Sequence, residues 1–548
     1  MIYLTTLLLS LFLTITLIPF SIRIAEKVKA LDIPDERKVH TVPIPRIGGI
    51  AMAVGTFVSM LLWASQNNFL RGYAIGAGII VLFGIIDDLK DLGYKAKFSG
   101  QMIATLVVIF YGGLKITNLG MLLPDNVTLP EWVSIPLTLV FIVGVTNAIN
   151  LADGLDGLAG GICLLSFCCI GYLAFLEDNT IIALLSLSIV GAIFGFLRFN
   201  TYPASLFMGD TGSQFLGFSL VTTSIALTQG DTALSPVLPL IIFGFPVLDT
   251  VTVMFERVSE RRPLFSPDKN HFHHRLIGLR LYHTEAVLII YIIQAVLVTS
   301  AFVFRFYSDW VLLIGYAIFA TMILTAFFMA DRTGFVLRRQ GIVDTEIKGR
   351  LKVLKEKGIF IIVFFRIVEF GVPLLLFLTC FIPRTVPKIF GIFSAGLIVF
   401  IVAIWFLKKP WLRSVLTVTI YLLIPLTVYL STADARISKD LLHLPALYDA
   451  AFVFLLIFVI LTLRFTRRKR GFKATPMDFL IFFIALVAPY IAGTYTEYKQ
   501  IGAVAAKTIM LFFSYEVLMG ELRGQFNRLT FSTICSLLVI SARGFLGG

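Results

Sequence analysis

The sequence predicts an all-α, polytopic integral membrane protein, on three observations. Of its 548 residues, 58% are hydrophobic and only 14% charged. Mean hydropathy is +0.91. Apolar runs of about 20 residues, the length a helix needs to cross a bilayer, recur along the whole chain. On that yardstick about ten or eleven spans precede Asp331 and about seven follow Gly358.

The charge pattern agrees. A net charge of +13 comes from 46 Lys and Arg against 33 Asp and Glu. The basic residues gather in short clusters between apolar runs, such as "LKDLGYKAK", "ERVSERRPLFSPDKNHFHHR" and "RFTRRKRGFK". That is the positive-inside pattern, so these loops are expected in the cytoplasm and no nucleic-acid partner is expected. The first run, "MIYLTTLLLSLFLTITLIPF", lacks a basic region ahead of it and a small-residue cleavage site. It is expected to be a retained span with its N-terminus outside. Cys163, Cys168, Cys169, Cys380 and Cys535 lie within apolar segments and form neither a metal spacing nor a disulfide framework.

Polar content divides the chain. Residues 1–335 place unusual polar groups at helix ends, all on the expected cytoplasmic side. Residues 336–358 form a basic linker, and residues 359–548 a multi-span extension with ordinary loops. Within that extension Arg366 and Glu369 stand three apart in one span. A lone charge at a helix centre costs about 2.5–3.5 kcal/mol, so these two are expected to pair with each other or with a neighbour. Lys507 and Glu516 read the same way.

Five segments carry candidate chemistry. "FGIIDDLKDLG" ends an apolar run with Asp87 and Asp88. Adjacent helical residues point about 100° apart, so the two carboxylates need not serve one ligand. "TNAINLADGLDGLAGG" sets Asn147, Asn150, Asp153 and Asp156 three apart, with Gly154 and Gly157 expected to interrupt the helix. Its neutral and charged oxygens suit Mg2+ or nucleobase donors, and a helix cap from Asp153 or Asp156 is the plainer alternative. "RFNTYPASLFMGDTGSQFLG" brings Asn200, Asp210 and Thr211, with Gly209 and Gly212 beside the acid. Here too an N-cap role for the acid stays open.

The remaining two segments are basic. "SPDKNHFHHRL" holds His271, His273, His274 and Arg275. No Cys is near and the spacing is not that of a zinc protease, so an anion-binding loop is the more economical reading. A basic juxtamembrane loop on anionic lipid is the alternative. "RKVHTVPIPRIGG" adds Arg37, His40 and Arg46, on a connector its prolines keep extended. Acids that can hold a divalent cation thus share one membrane face with loops that can hold phosphate. That combination predicts an anionic, diphosphate-containing substrate met at the cytoplasmic interface.

The motifs in this order resemble the polyprenyl-phosphate N-acetylhexosamine-1-phosphate transferases, over about residues 1 to 330. The resemblance implies transfer of a sugar 1-phosphate from a UDP-N-acetylhexosamine to undecaprenyl phosphate, with UMP leaving and Mg2+ or Mn2+ required. It implies a multi-pass protein of the bacterial inner membrane, active on the cytoplasmic face, that begins a cell-envelope polysaccharide such as O-antigen. By the same resemblance Asp210 is the first metal ligand and Asn150 the second. Asp87 or Asp88 meets the lipid phosphate, with Lys97, Arg37, His40 and Arg46 assisting. Asn147, Asp153, Asp156 and Asn200 belong to the nucleotide pocket, and His271, His273, His274 and Arg275 to the diphosphate. N-acetylglucosamine is the expected sugar, and a homodimer is left open. The rival from another class is a polytopic transporter. It too places charge in spans, but nearer the midplane, and no inverted repeat is visible.

Overall fold

The computed structural model describes residues 2–33, 43–63, 67–124, 127–230, 232–263, 270–333, 359–383, 385–407, 409–433, 444–465, 499–522 and 526–546. The chain divides into two compact units, Met1–Arg339 with Thr475–Met477, and Gln340–Ala474 with Asp478–Gly548. The linker expected at residues 336–358 lies outside the described residues.

The first unit is a helix bundle. It opens with α1 (Ile2–Val28) and a short antiparallel pair, β1 (Leu31–Asp32) with β2 (Ile44–Pro45). Then follow α2 (Gly48–Met60), α3 (Asn68–Lys90), α4 (Tyr94–Phe110), α5 (Glu131–Ala152), α6 (Leu158–Leu176) and α7 (Thr180–Asn200). The unit continues through α8 (Gly209–Thr228), α9 (Leu238–Ile242), α10 (Gly244–Ser259), α11 (Phe272–Gly278), α12 (His283–Val303) and α13 (Asp309–Thr333). Among the described residues seven of these, α1, α3, α5, α6, α7, α12 and α13, are long and apolar enough to cross a membrane. The chain is an all-α, multi-pass membrane protein.

Helix α8 differs in kind. Seventeen of its residues are buried, and it packs against α2, α3, α5 and α6. It therefore meets protein on all sides, which is why it tolerates Ser219, Thr222, Thr223 and Ser224. The hydroxyls of Thr222, Thr223 and Ser224 donate back to α8's own carbonyls, so no polar group is stranded. In contrast, only 11% of the most apolar window of α13 is buried. Polarity marks α8 alone, since α6 and α7 are about as apolar as α13 yet 78% of their most apolar windows is buried.

The second unit comprises α14 (Ile359–Thr379), α15 (Lys388–Leu407), α16 (Lys409–Ala433), α17 (Leu444–Phe465), α18 (Lys499–Glu521) and α19 (Asn527–Leu546). The apolar run at residues 478–493 lies outside the described residues. The core includes Val368, Val372, Leu376, Ile424, Val428, Val459, Val517 and Ile540. A Cβ on Gly391 would stand 3.0 Å from Gly544 Cα, so α15 and α19 meet backbone to backbone. Glu369 pairs with a neighbouring helix: Arg528 Nη1 lies 3.1 Å away. Lys507 Nζ lies 2.6 Å from Asp449 and 4.7 Å from the centre of the Tyr448 ring. Glu516 accepts from the Tyr421 hydroxyl. Each of these three charges is compensated across helices rather than within one.

Candidate active site

The site gathers where α3 and α5 end and α4 and α8 begin. At the close of α3 the paired acids part company, as the 100° between them requires. Asp88 is only 1% exposed, so both of its oxygens must be satisfied inside. Its Oδ1 accepts from Asp210 N at 2.8 Å, and its Oδ2 from Thr211 N at 3.1 Å and Thr211 Oγ1 at 2.6 Å. A helix N-terminus leaves its first N–H groups without partners, and here a carboxylate from another helix supplies them. Asp210 therefore does not cap α8; it sits in the first turn with Asp88 capping beneath it. Gly209 makes the approach feasible. Its φ is +69°, and a Cβ would stand 2.1 Å from Arg46 O and 2.5 Å from Asp88 Oδ2.

Asp87 faces the other way. Its Oδ1 accepts from Leu92 N at 2.6 Å, and its Oδ2 lies 2.6 Å from Lys97 Nζ. The same ammonium stands 3.3 Å from Asp210 Oδ2. One cation thus bridges acids from α3 and α8. Asn150 Nδ2 donates to Asp210 Oδ1 and to Ser213 Oγ, both at 2.7 Å, which fixes the orientation of Asp210. Arg46 braces the end of α3, donating to Asp88 O at 3.1 Å and to Asp91 Oδ1 at 2.7 Å. Arg37 and His40 lie outside the described residues.

The segment from Asn147 to Asp156 is helical only in its first half. Asn147 and Asn150 stand on α5, which ends at Ala152, so Asp153 and Asp156 fall in the turn that follows. Neither acid caps α6; the cap position is Gly157, with φ +80° and no side-chain bond. Asn200 accepts from Gly157 N at 2.9 Å and donates to Leu206 O at 2.9 Å. Asp156 Oδ2 accepts from Ala204 N at 2.9 Å, and the Tyr291 hydroxyl donates to Gly157 O at 2.6 Å. Asn200 and Asp156 therefore stitch this turn to the loop before α8. Burial, with the charges of Asp210, Asp156 and Asp88, pushes the Asp153 carboxyl up to about 7. Asn147 donates to Gln101 Oε1 at 2.7 Å, and Gln101 to Gln214 Oε1 at 3.0 Å, forming an amide chain behind the acids.

The histidines close the other side. A Cβ on Gly154 would lie 2.2 Å from His273 Nε2, so this glycine seats the His273 ring on the turn. Burial and the neighbouring histidines hold His273 down at about 3. It is therefore neutral at pH 7. Gly154→Ala is expected to displace that ring and lower turnover by about tenfold or more, with little change in unfolding temperature. A rate within twofold of the parent would remove the seat from the account. His271 and His273 stack with centroids 5.7 Å apart, while the His273 and His274 rings are tilted by 42° with centroids 4.3 Å apart. Arg275 is engaged by Glu256 and by Asn270 O.

Several contributors escaped the sequence reading. Thr211 stands beside Asp210 in the sequence, but its bond to Asp88 arises only from tertiary packing. Gln101 lies four residues after Lys97, on the same helix face, which was the available signal. Ser213 and Gln214 continue the motif around Asp210. Asp249, in the "PVLDT" segment that adds to the resemblance to N-acetylglucosamine-type members, has no site role legible in the sequence, yet it holds the histidine loop.

The donor set suits a magnesium ion. Among the described residues no three His, Cys, Asp or Glu side chains form a metal cage. Asp87 Oδ2 and Asp210 Oδ2 already converge on one cation, Lys97 Nζ. Two carboxylates with the remaining positions left to water and phosphate is the arrangement Mg2+ favours.

The family model described as Glycosyl transferase family 4 matches residues 70–228, the span that holds Asp87, Asn150 and Asp210. Over 332 residues the chain is 37% identical to the probable undecaprenyl-phosphate N-acetylglucosaminyl 1-phosphate transferase of Bacillus subtilis (strain 168). That alignment covers 60% of this chain and 91% of the relative. The chain belongs to glycosyl transferase family 4. Other relatives place this family 4 member among phosphotransferases. The undecaprenyl-phosphate alpha-N-acetylglucosaminyl 1-phosphate transferase of Escherichia coli (strain K12) is 31% identical over 351 residues, 62% of this chain and 93% of that protein. The decaprenyl-phosphate N-acetylglucosaminephosphotransferase of Mycolicibacterium smegmatis is 32% identical over 333 residues, 54% and 81% of the two chains. Each of these alignments leaves more than a third of this family 4 chain unmatched.

Proposed function

We propose that the protein transfers N-acetylglucosamine 1-phosphate from UDP-N-acetylglucosamine to undecaprenyl phosphate, releasing UMP. The reaction would occur on the cytoplasmic face of a bacterial inner membrane and begin a lipid-linked envelope polysaccharide. The observation that carries this reading is the convergence of Asp87 and Asp210 on Lys97. It stands beside a histidine stack seated on the Asp153–Gly157 turn. A cation locus next to neutral and charged donors is what two anionic substrates need.

The chemistry is a displacement at phosphorus. An oxygen of the lipid phosphate forms a bond to the β-phosphorus of the donor, and the bond from that phosphorus to the bridging oxygen breaks, so UMP leaves. A phosphate monoester has a second pKa of about 6, so the nucleophile is largely ionised at neutral pH. The residues therefore work by positioning and charge compensation rather than by deprotonation. Lys97 brings positive charge to the attacking phosphate, with Asp87 orienting the ammonium. Asp210, its orientation held by Asn150, would hold Mg2+ together with Asp87. When bound there, Mg2+ neutralises charge developing on the diphosphate. His273, neutral and buried, donates a hydrogen bond to the diphosphate, and Arg275 and His274 add donors at its rim. Asp153 and Asp156 face the nucleoside. Direct displacement is favoured over an aspartyl-phosphate intermediate.

The test is the identity of the lipid product. Incubating the purified protein with undecaprenyl phosphate, Mg2+ and UDP-N-acetylglucosamine should yield undecaprenyl diphosphate N-acetylglucosamine, identified by mass spectrometry. A product carrying sugar on a single phosphate would defeat the reading. The second unit is expected to be dispensable for this chemistry. Deleting everything after Gly334 should leave kcat within about threefold, and complete loss would make the second unit part of the catalytic machinery.

A further inference from the structure

The side chain with the greatest unexplained investment is Asp249. It lies in the second turn of α10, is 4% exposed, and belongs to none of the motifs that meet substrate. Both of its oxygens are nevertheless committed to the histidine loop. Oδ2 stands 2.9 Å from His271 Nδ1, and Oδ1 accepts from Phe272 N at 2.8 Å. His271 is itself buried, at 5% exposure, and its ring lies parallel to that of His273, with 9° between planes. His273 in turn rests on Gly154. A continuous stack thus runs from Asp249 through two imidazoles to the turn that holds Asp153 and Asp156.

We infer that Asp249 is a positioning residue for the diphosphate end of the site, acting through His271. The inference rests on the reading of the site as a UDP-sugar transferase. A carboxylate acceptor fixes the proton of His271 on Nδ1. With both carboxylate oxygens engaged, one on Nδ1 and one on Phe272 N, the ring is held in a single orientation. The diphosphate end of the site is thus faced by a ring that cannot swivel. The same carboxylate sets the lean of His271 against His273, so the neutral donor next to it is aimed as well. This divides the labour: Asp249 touches no substrate, and its removal acts on donor binding more than on the displacement step.

Asp249→Asn separates the two duties of the carboxylate. The amide oxygen can still accept from Phe272 N and keep the start of α11, while the amide nitrogen offers a donor to Nδ1 and so reverses the tautomer. The KM for UDP-N-acetylglucosamine is expected to rise about 10- to 100-fold, with kcat changed by less than about threefold. Asp249→Glu, which keeps a carboxylate, should recover most of the loss. In a His271→Ala background Asp249→Asn should cause no further change, because the route through His271 is already gone. Each variant is checked for folding by thermal unfolding in detergent. Equal KM in the parent and the Asn variant, or an additive loss in the His271→Ala background, would overturn the inference. So would a Glu variant that is folded but recovers nothing, or failure of both Asp249 variants to fold, since Asp249 would then serve the fold alone. If the parent protein itself releases no UMP, it is the underlying reading that fails, and the two results are distinct.

Discussion

Asp210→Ala is expected to lower turnover by about a thousandfold or more while leaving a folded protein. The side chain is 26% exposed and projects from the first turn of α8, so its removal opens no core cavity. The backbone N–H of residue 210 keeps its acceptor in Asp88, and the buried length of α8 is untouched. What disappears is one of the two carboxylates that face Lys97 and the partner that Asn150 orients. A site that works by compensating charge loses its compensator, whereas the fold loses two hydrogen bonds at its edge. Unfolding temperature and UMP release on the same preparation would check this. A variant that turns over at near-normal rate would remove Asp210 from the centre of the account.

Asp88→Ala should do the reverse, with its main effect on stability. Three donors, Asp210 N, Thr211 N and Thr211 Oγ1, lose their acceptor in a place that water does not reach. An unsatisfied buried donor costs about 1–3 kcal/mol, so the loss should be about 3 kcal/mol or more. Turnover should fall as well, because the first turn of α8 carries Asp210. Asp88→Asn keeps one acceptor oxygen and should fall between parent and alanine variant. The readout is the unfolding midpoint of the detergent-purified protein. A midpoint for Asp88→Ala within about 2 °C of the parent would show that the cap contributes little.

The contrast between these two acids marks how much the sequence could disclose. A carboxylate at the end of an apolar run is conspicuous because charge is costly there, so Asp87, Asp88, Asp210 and the Asn147–Asp156 series were all visible as a set. Their division of labour was not. Whether an acid caps its own helix or another's depends on tertiary contacts, and Asp88 caps a helix that begins 121 residues later in the chain, at Gly209. The three-residue spacing from Asn147 to Asp156 suggested one helical face, but α5 stops at Ala152 and the glycines turn the second half toward His273. The role of Asp249 is hidden in the sequence for the converse reason. A lone acid among apolar residues carries no spacing signal, and its meaning comes only from the loop that folds onto it. Helix class was legible throughout, since run length and apolarity suffice for it. The apolar run that became α8 nevertheless turned out to be enclosed by other helices.

One assay reads the proposed reaction most directly. The full-length protein is purified in detergent, supplied with undecaprenyl phosphate and Mg2+, and offered a panel of UDP-sugars with UMP release as the readout. UMP release is expected with UDP-N-acetylglucosamine, dependent on the lipid phosphate and abolished by a chelator. Failure to release UMP from any donor in the panel, by protein shown to be folded, would contradict it.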